Sequence, residues 1–144
     1  MPLAGFLYCV SIGNRFDDRY SQIITCIFLT VSSILSWIIF FKFLSITETQ
    51  NFHLLNWIIS GDLLVNWSFR LDTLTAVMLV VVTTMSACIH IYSIGYMNQD
   101  NSIPRFMGYL SLFTFFMLAL VTSNNLLQMY FGWEGVGLAS YLLI

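Results

Sequence analysis

Glu134 is the one charged residue in the apolar run Leu126–Ile144. As a helix rising about 1.5 Å per residue, that run puts the carboxyl roughly 12 Å from its start, near the middle of a hydrocarbon layer about 30 Å thick. A charge at that depth costs on the order of 3 kcal/mol. An isolated carboxyl there is expected to hold its proton, and a cation brought close reverses the balance. The chemistry on offer is therefore reversible proton uptake, governed by whatever stands beside the group. Helical spacing puts Tyr130, Glu134, Gly137 and Tyr141 on one face: a carboxyl, two phenols, and a gap for water or a close helix. Gly132, Gly135 and Ala139 form a second stripe, small enough to let another membrane helix approach closely.

His90 is the second candidate. It lies well inside the uncharged run Thr73–Met97, where a neutral imidazole either relays protons or hydrogen-bonds a neighbouring helix. His53 has no second ligand at metal spacing and reads as a surface histidine, so no metal site is expected. Cys9, Cys26 and Cys88 are isolated in apolar runs and read as buried thiols, not as disulfide partners or metal ligands.

The elements that must hold these groups follow from composition. With 58% apolar and 8% charged residues, the chain is neither a soluble globular domain nor a disordered one, which leaves an integral membrane protein with several spans. A formal net charge of −2 and the lack of a basic run make nucleic acid an unsuitable partner. Arg15 follows the first apolar stretch instead of preceding it, and no Arg- and Ser-rich leader is present. The expectation is a bacterial membrane protein, or one made inside the organelle that uses it.

The reading along the chain is all-α and membrane-integral, a single membrane domain over 1–144 with about five transmembrane helices. These are expected at about 3–13 (short), 21–43, 73–97, 105–122 and 125–144. Ser21–Phe41 carries no charge and spans about 31 Å as a helix. Arg15 to Arg19 reads as a charged turn, Thr47 to Asn51 as a polar connector, Asn98 to Pro104 as a polar loop, and Ser123-Asn124-Asn125 as a tight turn. Between helices 2 and 3, Val65, Trp67 and Phe69 alternate with Asn66, Ser68 and Arg70. That period of two predicts a surface β-hairpin over about 54–70, with an edge free to pair with a neighbouring subunit. Arg15, Arg19 and Arg105 fall on one side, Lys42 and Arg70 on the other. The positive-inside rule favours the Arg105 loop facing cytoplasm or matrix.

Several stretches together resemble a known family. They are Trp67 to Met78, His90-Ile91-Tyr92-Ser93-Ile94-Gly95-Tyr96-Met97, Pro104-Arg105-Phe106, Tyr109 to Thr114, and Gly132-Trp133-Glu134-Gly135-Val136-Gly137-Leu138 continuing to Ile144. They resemble the subunit 5 family of respiratory complex I, the antiporter-like membrane subunits of NADH:ubiquinone oxidoreductase. The resemblance is strong from about Ser60 onward and weaker before it. It implies the N-terminal portion of a proton-translocating subunit with Glu134 as the proton-transfer group. On the reading of the residues above, His90, Tyr130 and Tyr141 are the candidates to connect that group by water or hydrogen bonds. It also implies that the glutamate works with a lysine on a later, broken helix, and that the hairpin faces the intermembrane space. No cofactor is expected in this chain; flavin, iron–sulfur clusters and quinone belong to other subunits. Asn124 stands where relatives commonly carry Asp. The apolar run reaches Ile144 with no polar tail, and the family's proteins are several times longer. The expectation is a fragment of a larger split subunit, completed by another chain, among other membrane-arm subunits and the lipid of the mitochondrial inner membrane (or a bacterial plasma membrane). The alternatives are the large subunit of a multisubunit sodium/proton antiporter, or a purely structural membrane scaffold.

Overall fold

A computed structural model describes residues 1–11, 18–45, 49–61, 63–97 and 102–144. The element order is α1 (Pro2–Ser11), α2 (Asp18–Ser45), β1 (Gln50–Ser60), β2 (Leu63–Leu71), α3 (Thr73–Tyr96), α4 (Ile103–Val121) and α5 (Leu126–Leu143). The expected charged turn at Arg15 to Asp17, the connector at Thr47 and Glu48, and the loop at Asn98 to Asn101 lie outside the described residues. Three helical stretches, Arg19–Leu44, Thr73–Tyr96 and Ile103–Val121, are long and apolar enough to cross a membrane. With the two-stranded antiparallel hairpin they form the all-α membrane architecture expected from the residue pattern. The short first helix has 10 residues. α5 has 18 and interrupts its apolar run with Gln128 and Glu134.

Local signals explain the boundaries. Asp72 caps α3, accepting from the Thr75 amide at 2.7 Å. Pro104 occupies the first turn of α4, where its missing N–H costs nothing. Asn125 caps α5, accepting from the Gln128 amide at 2.8 Å. The hairpin reaches further back than the alternating pattern indicated. Gln50, Asn51, Phe52 and His53 pair with Leu71, Arg70, Phe69 and Ser68, so part of the polar connector is strand. The Phe52–Phe69 cross-strand pair gives that extension an apolar reason to form.

The core is unusual for its hydroxyls. On α3 the buried stripe includes Thr83, Ser86, His90 and Ser93, which recur at helical spacing. Thr83 Oγ1 lies 2.7 Å from Ser36 Oγ of α2, and Ser86 Oγ lies 2.5 Å from Thr114 Oγ1 of α4. In hydrocarbon there is no hydrophobic drive to bring helices together, so small residues and hydrogen bonds of this kind hold the bundle. Cys9 and Cys26 are buried beside Ile103 and Met107. Cys88 departs from its expected burial: it is exposed. The helical turn that buries Ala87 and His90 swings the position between them outward.

Candidate functional site

α5 divides its faces sharply. Gln128, Gly132, Gly135 and Ala139 are its buried residues, spaced so that they form one stripe. A Cβ on Gly135 would collide with the Phe116 ring of α4, so the small-residue stripe is the contact with that helix. With that face committed to α4, the opposite one must point away from the bundle. Tyr130 is 60% exposed, Tyr141 78%, and Glu134 is exposed with them. A Cβ on Gly137 would meet nothing within 4 Å. Tyr130 stands one helical turn before Glu134, so the phenol and the carboxyl are neighbours on that face. Among the described residues the ion pair is Arg70–Asp72, and none of them is a cation paired with Glu134. The four residues expected to share a face therefore do so, and that face is bare.

The start of α5 is held in place by the hairpin. The Asn125 amide donates to the Asn66 carbonyl at 2.7 Å, and the Asn124 amide donates to Ser68 Oγ at 3.1 Å. Arg70 N–H donates to the Thr122 carbonyl at 3.0 Å. The β2 edge is thereby occupied, in part, by the α4–α5 turn. Asn66 and Ser68, which alternation alone would send to solvent, instead grip that turn. Trp57, Trp67 and Phe131 form a cluster of edge-on rings with centroids 5.1 to 6.1 Å apart, one helical turn before Glu134. Asn124 needs no acidic role: it serves as a donor to the strand.

His90 sits apart from Glu134. It is fully buried between α3 and α4, with Nδ1 2.9 Å from the Ser86 carbonyl and Nε2 3.2 Å from Ser111 Oγ. α4 stands between it and α5, which packs on α4. The sequence-derived candidates thus fall into two groups, an inner imidazole and an outer carboxyl with its phenols. Residue pattern alone missed Gln128, which is fully buried and accepts from the Ser68 amide at 3.3 Å. Its Nε2 has no partner among the described residues. It also missed Ser111, Ser86 and Thr114. A signal existed for Gln128, since a lone polar residue in the first turn of an apolar helix has to be satisfied by something.

The sequence profile described as NADH-Ubiquinone oxidoreductase (complex I), chain 5 N-terminus matches residues 57–107, which hold the hairpin's closing half, α3 and the first turn of α4. Across 99% of its length the chain is 56% identical to NADH-quinone oxidoreductase subunit L of Rhodobacter capsulatus. Over its whole length it is 49% identical to NADH-ubiquinone oxidoreductase chain 5 of Chondrus crispus and 47% identical to that of Arabidopsis thaliana. The chain belongs to the complex I chain 5 family. It spans 21% to 22% of the length of these relatives. His90 falls inside the segment matched by the chain 5 profile, and Glu134 lies beyond it, in the part covered by the whole-length relatives.

Proposed function

We propose that this chain forms the N-terminal part of a proton-translocating, antiporter-like subunit of an NADH:quinone oxidoreductase, with Glu134 as its proton-transfer group. One observation carries the reading: α5 turns Tyr130, Glu134, Gly137 and Tyr141 away from the bundle that holds it. A carboxylate facing lipid at that depth costs on the order of 3 kcal/mol, so such a face is expected to be covered by protein or to line a hydrated cavity. The remainder of the subunit, in the same polypeptide or a second chain, is the proposed cover. In this proposal the cover carries the basic partner of Glu134, a lysine in the family the chain resembles.

The mechanism then follows from electrostatics. With the cation close, Glu134 ionises; with the cation withdrawn, it takes up a proton. Tyr130, one helical turn before the carboxyl, steadies the ionised form by donating to it. Tyr141 lies on the same face, two turns further on, and extends the polar surface along the helix. Electron transfer takes place elsewhere, and flavin, iron–sulfur clusters and quinone belong in this proposal to other subunits. The proposed setting is the mitochondrial inner membrane, in company with other membrane-arm subunits. The test is Glu134→Gln in the assembled complex, reconstituted in vesicles, with proton uptake and NADH oxidation measured together. Assembly is expected to survive, with fewer protons moved per NADH oxidised. Unchanged pumping removes Glu134 from the mechanism.

A further inference from the structure

We infer that His90 takes up and releases its proton at one atom, Nε2, through the Ser111 hydroxyl, and does not pass protons across its ring. The inference deepens the function proposed above and rests on that reading for its role in transport. Its geometry stands independently. A carbonyl oxygen accepts hydrogen bonds and cannot donate, so Nδ1, 2.9 Å from the Ser86 carbonyl, must carry a hydrogen. In the neutral ring that leaves Nε2 as the bare nitrogen. Ser111 Oγ, 3.2 Å away, is then the donor to it. The hydrogen-bond partners, and not the ring's intrinsic preference, assign the tautomer.

A relay through an imidazole gains a proton at one nitrogen and loses one from the other. Here the second nitrogen faces a main-chain carbonyl, which has no proton to exchange and cannot hand one on. Traffic is therefore confined to Nε2. In the uptake step the Nε2 lone pair takes the Ser111 hydroxyl proton, and the ring becomes an imidazolium carrying one positive charge. The Ser111 oxygen is made whole by a proton from a hydronium on its far side, which departs as water. Release is the same sequence reversed.

The far side of Ser111 can be located. A Cβ on Gly5 would lie 3.4 Å from Ser111 Oγ and 3.6 Å from Thr25 Cγ2, so the hydroxyl borders the seam between α1 and α2. Gly5, Ser21 and Thr25 in that seam are all buried. Ser111 is thus a positioning residue with a direction: it connects His90 to the α1–α2 side of the bundle, away from α5.

Two measurements on the assembled complex test this. The first is a nitrogen-15 spectrum of histidine-labelled complex in membranes, with the His90→Gln spectrum subtracted to isolate this ring. A neutral ring protonated at Nδ1 is expected, and one protonated at Nε2 overturns the assignment. The second is the number of protons moved per NADH oxidised. Ser111→Ala is expected to lower it to the His90→Gln value, with no further loss in the double variant, while Ser111→Thr restores it. A Ser111→Ala complex that pumps like the wild type overturns the single-atom route. If Glu134→Gln pumps normally while Ser111→Ala does not, the glutamate reading falls and the His90 route stands.

Discussion

A Cβ placed on Gly132 would stand 2.8 Å from the main-chain nitrogen and Cα of Leu120. α5 therefore lies on α4 at a separation that only a residue without a side chain allows, and the orientation of Glu134 depends on that contact. Real Cβ atoms do not approach backbone so closely, and the backbone of a helix cannot give way as a flexible side chain would. Gly132→Ala is accordingly expected to destabilise by about 1–3 kcal/mol through overpacking, or to shift α5 along α4. Gly137→Ala, whose Cβ meets nothing within 4 Å, leaves this packing untouched. Thermal denaturation of the two variant complexes compares them directly, and equal midpoints would contradict the packing argument.

Asn125 makes two bonds with one side chain. Its oxygen caps α5 and its amide nitrogen ties that cap to the Asn66 carbonyl of β2. Asn125→Ala loses both, and capping alone is worth about 1 kcal/mol. Asn125→Asp keeps the cap but loses the donor to Asn66, so it should fall between the alanine variant and the wild type. The check is the yield of assembled complex on native gels together with its melting temperature. An aspartate variant as damaged as the alanine one would mean that the strand contact, and not the cap, is what matters.

Asp72 connects stability to pH. The Thr75 amide donating to its carboxylate, helped by Arg70 nearby, holds it below the usual carboxylate range. A carboxyl depressed in the folded state stabilises above its unfolded value, near pH 4, and that contribution disappears as pH falls through the lower folded value. Acid therefore weakens the cap of α3, while neutral and alkaline pH leave it intact. Asp72→Asn keeps a capping oxygen without the titration, so the stability difference between wild type and variant should shrink below about pH 4. A difference that stays constant through that range would exclude Asp72 as the group responsible.

The Ser36–Thr83 pair is buried and bridges α2 and α3 at 2.7 Å. Interhelical hydrogen bonds in membranes average about 0.6 kcal/mol, because the separated helices find other partners. Ser36→Ala and Thr83→Ala should each cost more than that average, since truncation also leaves a gap, and the coupling between them should be about 0.6 kcal/mol in a double-mutant cycle. A coupling of zero would mean that each hydroxyl is satisfied by its own helix carbonyl alone, at Ser33 and Leu79.

Much of this molecule is determined by residue order alone. Charge-free runs of helix-spanning length fix which segments enter the membrane, because lipid offers backbone groups no partner and forces each run to satisfy its own. Helical period puts Glu134 with Tyr130 and Tyr141, and likewise gathers Gly132, Gly135 and Ala139 on one stripe. Residue order could not decide which stripe is inside. That depended on the close approach of α5 to Leu120 and Phe116 of α4, a contact between separate helices that no local pattern encodes. Nor could it reveal that Asn66 and Ser68 hold the α4–α5 turn, because alternation along a strand labels two faces without naming what covers them. His90 shows the division most clearly. Its position within a long apolar helix was legible in the sequence, but its partners, Ser86 and Ser111, come from its own previous turn and from another helix. The carbonyl of its own preceding turn makes Nδ1 the donor, and only the packing of α3 against α4 brings a hydroxyl to Nε2.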